Sequence, residues 1–202
     1  MPYPDRFYPV VDSIAWVARL ARLGVGTIQL RAKNLNDADA LAIVREALAA
    51  TKGTPTKLVV NDYWRAAIEA EAQHLHLGQE DLVDADLKAI RAAGLTLGVS
   101  THDDEELANG LAATPDYVAL GPIFPTTLKS MRFAPQGIPK ISEWKKRVGK
   151  IPLVAIGGIK FEHSADIFAA GADSIAVVSD VTQNADPDAR VRQWLGQSAE
   201  AA

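Results

Sequence analysis

Eight short runs rich in aliphatic and β-branched residues recur along the chain, separated by longer stretches in which apolar side chains return every three or four positions. The runs are FYPVV (7–11), TIQLR (27–31), KLVVN (57–61), QHLHL (73–77), LTLGVS (95–100), DYVAL (116–120), PLVAI (152–156) and SIAVV (174–178). Each is bounded by polar or turn-forming residues, which predicts a strand. The stretches between them predict helices. SIAWVARLARLG offers Ser13 as N-cap and Gly24 as the stop, and NDADALAIVREALAA opens on Asn36 and Asp39 as a capping pair. LARLGVGTIQL, IRAAGLTLGVS and IFAAGADSIAVV repeat one device, a helix closed by glycine that feeds the next strand.

Strands alternating with helices imply parallel βα units with right-handed crossovers. A closed (β/α)8 barrel and an open doubly wound sheet both satisfy a count of eight. The expectation is an α/β fold, a (β/α)8 TIM barrel, in which residues 1–202 form a single domain. A length of 202 residues is near the lower limit of about 200 for such barrels. Pro9 inside the first run counts against a strand there, because proline cannot donate to a ladder.

One run breaks the apolar pattern. TIQLRAKN places Gln29, Arg31 and Lys33 at alternate positions, so in a continued strand all three share one face. Two cations on a buried face require an anionic partner, from the protein or from a ligand. In a (β/α)8 barrel function sits at the C-terminal strand ends. The residues falling there are Arg31, Lys33, Asn61, Asp62, the GQED segment at 78–81, Ser100, Gly121, Pro122, Gly157, Gly158 and Ser179.

Composition narrows the chemistry. Hydrophobic residues make up 48% and charged residues 23%, an ordinary globular balance. The formal net charge of -4 argues against a general nucleic-acid or anionic-membrane binder, so any positive site is local. The absence of cysteine excludes disulfides, thiolate metal sites and cysteine nucleophiles, and fits a cytoplasmic location. MPYPDRFYPVVD lacks the apolar run of a signal peptide, and no later stretch reaches the ~20 apolar residues of a membrane span.

Asp62 and Asp81 follow neighbouring strands, and two carboxylates across one edge of a barrel mouth suit Mg²⁺, which takes one or two protein carboxylates and completes its shell with water and phosphate oxygens. The plain alternative is that each aspartate caps the helix after it. The glycines of VAIGGI and the serine closing SIAVVS fall where loops after the last two strands commonly form a phosphate site. TTLKSMRFAPQG (126–137) has no clear periodicity and carries Lys129 and Arg132 without matching acids, which predicts a lid. His74 and His76 share a face, but no third histidine or cysteine lies at ligand spacing, so they read as satisfied interior histidines. HDDEE (102–106) reads as the acidic first turn of a helix.

The segments QLRAK, VNDYW, HLHLGQED, LGVSTH, ALGPIFPT, VAIGGI and IAVVS occur in order across nearly the whole chain. Together they resemble the thiamine phosphate synthase family. The resemblance implies a (β/α)8 transferase that joins a hydroxymethylpyrimidine diphosphate to a thiazole phosphate with Mg²⁺, releasing diphosphate. It assigns Gln29, Arg31, Lys33, Asn61, Ser100 and Lys129 to the pyrimidine diphosphate, with Arg31, Lys33 and Lys129 stabilising charge on the leaving group. It assigns Asp62 and Asp81 to Mg²⁺, and Thr126, Thr127, Leu128, Gly158, Val178 and Ser179 to the thiazole phosphate. One departure stands out: the family commonly has threonine two residues after Thr126, and this chain has Leu128. The implied mechanism is dissociative, with the thiazole nitrogen capturing a pyrimidine methyl cation. The implied partners are small phosphorylated molecules, with no nucleic acid and no membrane, and a homo-oligomer is compatible with them. A thiazole tautomerase sibling would place a histidine where this chain has Pro122. A non-catalytic barrel that binds a thiamine precursor is the other alternative, supported by Leu128 alone.

Overall fold

The structure is a computed structural model and describes residues 3–126 and 133–200. Eight parallel strands close into a barrel in sequence order, as expected. They are β1 (Phe7–Val11), β2 (Thr27–Leu30), β3 (Lys57–Asn61), β4 (His74–Leu77), β5 (Thr96–Thr101), β6 (Tyr117–Leu120), β7 (Leu153–Ile156) and β8 (Ser174–Val177). Around them run α1 (Ile14–Arg22), α2 (Asp37–Thr51), α3 (Trp64–Glu69), α4 (Gln79–Asp84), α5 (Leu87–Ala92), α6 (Asp104–Ala112), α7 (Gly137–Val148), α8 (Ser164–Ala169), α9 (Ser179–Thr182) and α10 (Pro187–Glu200).

Alternation along each strand sorts the side chains into two cores. Outward residues such as Ile28, Leu58, Leu75, Leu97 and Val118 pack against the helices. Inward residues Tyr8, Val10, Val59, Tyr117, Ala119, Val154 and Ala176 fill the barrel. Both faces are buried, which explains why the runs are nearly continuous in apolar character. The expected helix ends are present. Asn36 accepts from the amide of Asp39 at 2.9 Å. Gly24, Gly94 and Gly171 all adopt positive φ, the conformation that lets each chain turn from helix into strand. Ser13 is the N-cap of α1 by position, without a side-chain capping bond.

Pro9 is accommodated because the recorded pairing of β1 with β8 ends at Pro9↔Val177, while that with β2 begins at Val10↔Gln29. The missing amide therefore falls where the strand changes neighbours. α10 covers this side of the barrel: Trp194 stacks on Phe7 with ring centroids 5.3 Å apart and donates from Nε1 to Asp180 at 2.8 Å. Burying rings of this size contributes about 1.5–3 kcal/mol each.

The segment before β1 seals the N-terminal end of the barrel. Asp5 accepts from Thr27 Oγ1 at 2.6 Å and from Lys57 Nζ at 3.2 Å, and its carbonyl accepts from Ser174 Oγ at 2.6 Å. Tyr3 stacks on His74. With this end closed, the open space lies toward the C-terminal strand ends.

Candidate active site

A cavity of about 530 Å³ opens at those ends. One wall is formed by Gln29, Arg31, Asn61 and Ser100, the opposite wall by Thr126, Gly158, Val178 and Ser179. The sequence places both groups at strand ends, and closure of the barrel brings them to one space. Thr127, Leu128 and Lys129 lie outside the described residues, as does half of the expected lid at 126–137.

The polar stripe of the second strand does not act as one unit. β2 ends at Leu30 and the Arg31 amide makes the last bond to β1, so Lys33 sits beyond the ladder, where burial no longer forces a ligand partner on it. Gln29 is buried and donates from Nε2 to Tyr8 Oη at 2.7 Å. Lys33 is exposed and ion-paired with Asp62, a protein carboxylate. Arg31 faces the cavity, its amide held by Val11 O at 2.7 Å, and its guanidinium has no hydrogen-bond partner among the described residues. Asn61 adds a second unmet group: its Nδ2 is buried and donates to nothing described.

Asp62 and Asp81 meet in a second depression that also contains Asp37, Glu69 and Asp84, and neither lines the cavity itself. Neither is the N-cap of the helix that follows it. Asp62 precedes the cap of α3 and has φ 66°, while α4 is capped by Gly78 and Asp81 lies in its first turn. Burial, and then the neighbouring charge of Asp62, push the Asp81 carboxyl up to about 6. A site that raises a carboxyl in this way favours a bound cation or proton. Among the described residues no cluster of three or more His, Cys, Asp or Glu could hold a metal ion.

Gly157 and Gly158 have φ 100° and 65°. A Cβ on Gly158 would lie 2.4 Å from Pro125 O, and one on Gly157 2.7 Å from Pro122 Cα. These glycines are required by the packing of the loop after β7 on the loop after β6, and both line the cavity. Their contact with 122–125 is tertiary and has no local signal.

Sequence reasoning treated His74 and His76 as interior residues, and both are satisfied. His74 Nδ1 lies 2.7 Å from Thr96 Oγ1. His76 bonds through Nδ1 to Tyr117 Oη at 2.9 Å and through Nε2 to Ser100 Oγ at 2.7 Å. His76 also lines the cavity, together with Tyr8 and His102, and these contributions were missed. The alternation in HLHL was the available signal, since it puts His76 on the inward face. His102 is held by Glu106 at 2.6 Å and stacks on Phe133 with centroids 4.8 Å apart. The acidic first turn after it is present as α6, capped by Asp103, which accepts from the Glu106 amide.

Burial pushes His76 down to about 4 from 6.5. The folded protein keeps it neutral where the unfolded chain takes up a proton, so stability is expected to fall as pH drops from 6.5 toward 4. The loss from this residue is on the order of 3 kcal/mol by about pH 4. Asp81, raised in the fold, shifts stability the opposite way in the same range. Urea unfolding of the wild type and His76→Gln across this range isolates the histidine, and a difference that stays constant with pH would refute the assignment.

Comparison with known proteins decides the family. The thiamine monophosphate synthase family model matches residues 7–181. The chain belongs to the thiamine monophosphate synthase family. A thiamine-phosphate synthase of Rhizobium etli is 54% identical over 195 residues, 96% of each chain. One from Salmonella dublin is 51% identical over 195 residues, covering 96% of this chain and 92% of that protein. Among solved structures, thiamine phosphate pyrophosphorylase from Pyrococcus furiosus superposes with a TM-score of 0.83 at 25% identity, with 96% of each chain covered. 3-Hexulose-6-phosphate synthase, at 16% identity and a TM-score of 0.71, shares the fold. Membership of the thiamine monophosphate synthase family makes this chain an enzyme, a transferase. No helix among the described residues is long and apolar enough to cross a membrane.

Proposed function

We propose that the chain is a thiamine-phosphate synthase that condenses 4-amino-2-methyl-5-hydroxymethylpyrimidine diphosphate with hydroxyethylthiazole phosphate, by a dissociative, Mg²⁺-assisted substitution. The observation that supports this best is the single cavity walled by two unlike groups. The guanidinium of Arg31 and the unmet Nδ2 of Asn61 face one side, and the loops carrying Gly158, Val178 and Ser179 face the other. Two phosphorylated molecules can meet there.

Arg31 would donate to the diphosphate oxygens as the C–O bond breaks, a stabilisation that gains strength where water is excluded. Lys33, already paired with Asp62, and Lys129 would add positive charge on the same side. The glycine-rich loop after β7, Thr126, Thr127, Leu128 and the turn at 178–179 would bind the thiazole phosphate through amides and hydroxyls. The thiazole nitrogen brings its own lone pair, so no general base is needed. The apolar lining from Val10, Ile156 and Ala176 keeps water from the pyrimidine methyl cation.

Asp62 and Asp81 fit Mg²⁺: two adjacent carboxylates, one of them raised to about 6, with phosphate oxygens and water left to complete the shell. When bound there, the ion would neutralise charge on the leaving group. Since a proton on Asp81 competes with the metal, apparent Mg²⁺ affinity is expected to weaken as pH falls below about 6. Asp81→Ala is expected to raise the Mg²⁺ needed for half-maximal turnover by roughly tenfold or more. Full activity in excess chelator would end the metal assignment.

On this reading the partners are small phosphorylated molecules, with neither nucleic acid nor membrane, the location would be cytoplasmic, and a homo-oligomer is compatible with it. The deciding experiment is to incubate the purified protein with both substrates, with and without Mg²⁺, and detect thiamine phosphate. Binding without product would favour a non-catalytic precursor-binding barrel. Pro122 lines the cavity where a tautomerase sibling carries histidine, which disfavours that reading.

A further inference from the structure

Five side chains from five strands form one continuous hydrogen-bonded line through the barrel interior. Gln29 Nε2 lies 2.7 Å from Tyr8 Oη, and Tyr8 Oη 2.8 Å from Tyr117 Oη. Tyr117 Oη lies 2.9 Å from His76 Nδ1, and His76 Nε2 2.7 Å from Ser100 Oγ. Tyr8 and Tyr117 are 1% and 0% exposed, and although Tyr8 lines the cavity its hydroxyl already meets Gln29 and Tyr117. Both ends of the line, Gln29 and Ser100, open on the same cavity.

Counting hydrogens gives the line a direction. Each phenol has one hydrogen, and a neutral imidazole has one donor and one acceptor nitrogen. Tyr8 accepts from the Gln29 amide, so its own hydrogen goes to its remaining partner, Tyr117. The hydrogen of Tyr117 then goes to His76 Nδ1, which must be the acceptor. His76 therefore carries its hydrogen on Nε2 and donates to Ser100. If Ser100 donated inward instead, the Tyr8 hydrogen would be left buried without an acceptor, at the cost of a lost hydrogen bond.

We infer that His76 is a positioning residue whose Nε2–H tautomer, set through Tyr117 and Tyr8 by the Gln29 amide, makes Ser100 a hydrogen-bond donor and Gln29 Oε1 an acceptor toward the cavity. The line can run the other way only if the Gln29 amide, both phenols and the imidazole tautomer all reverse together. It thus couples the polarity of two separated contact points. Resting on the pyrimidine reading above, this arrangement suits a heteroaromatic ring that offers an amino N–H to Gln29 and ring nitrogens to Ser100 and Asn61. It disfavours the oxo analogue, whose carbonyl would face the Gln29 carbonyl.

The first test needs no substrate. Nitrogen-15 NMR of histidine-labelled wild-type protein, with the His76 signals assigned by their loss in His76→Asn, is expected to show hydrogen on Nε2 and a bare Nδ1. Hydrogen on Nδ1 would overturn the inference. The second test is Tyr117→Phe, which removes the middle hydroxyl and frees both ends to reverse independently. The ratio of kcat/KM for the aminopyrimidine diphosphate to that for its oxo analogue is expected to fall at least about tenfold. An unchanged ratio would also overturn it. If neither compound is turned over by the wild type, the substrate reading fails while the tautomer measurement still decides the line, and the same measurement decides it if Tyr117→Phe does not fold.

Discussion

Arg31→Ala is expected to lower kcat/KM for the pyrimidine diphosphate by about 10²–10³-fold, equivalent to roughly 3–4 kcal/mol of transition-state stabilisation. The guanidinium lines the cavity and has no hydrogen-bond partner among the described residues, so truncation breaks no described hydrogen bond within the fold. Its backbone stays anchored through the bond from its amide to Val11 O. The loss should therefore appear in turnover, with the unfolding midpoint close to wild type. Arg31→Lys should fall between the two, because an ammonium keeps the charge and loses the bidentate fork. Lys33→Ala makes a useful contrast: that side chain is 42% exposed and already neutralised by Asp62, so its loss should cost less. Steady-state kinetics of the three variants checks the order, and a wild-type value for Arg31→Ala would mean the guanidinium does not meet the reacting diphosphate.

Gly98→Ala should have the largest effect on stability. A Cβ at this position of β5 would lie 2.0 Å from Tyr117 Cζ and 2.4 Å from its Oη. Tyr117 is fully buried and bonded on both sides, to Tyr8 and to His76, so its ring has nowhere to move. Forcing it aside adds overpacking to the loss of two buried hydrogen bonds, about 4 kcal/mol together. For a chain of this size that lowers Tm by roughly 8–16 °C. Gly94→Ala is the control. Gly94 has positive φ, at 75°, and nothing lies within 4 Å of an added Cβ, so only the backbone strain remains and it should cost about 1 kcal/mol. Equal midpoints for the two variants would mean the strand gives way to the methyl group and the ring is not held as described.

The resemblance of the motifs and the comparisons agree on the family, yet the residues differ in how much of their role could be read locally. Asp62 and Asp81 could be paired in advance because consecutive parallel strands are neighbours in a barrel. Arg31 could be placed at the mouth because it closes an apolar run. Lys33 was grouped with it by alternation, but β2 stops at Leu30, so alternation no longer governs where Lys33 points. His76 was correctly taken as satisfied, and its importance was still missed. Its partners, Tyr117 and Ser100, are 41 and 24 residues away, and nothing in HLHL announces them.

The eight strands, their order, the glycine-closed helices and the chemistry at the strand ends follow from the chain itself, because alternation, capping and helix termination are local and repeat with the period of the structure they build. Tertiary closure decided the rest. It set Asp62 beside Lys33 and Asp81, gave Gly98 to the ring of Tyr117, and joined Gln29 to Ser100 through three side chains from other strands. Those contacts depend on the register in which distant segments meet inside the barrel, and no pattern within any one segment carries that information.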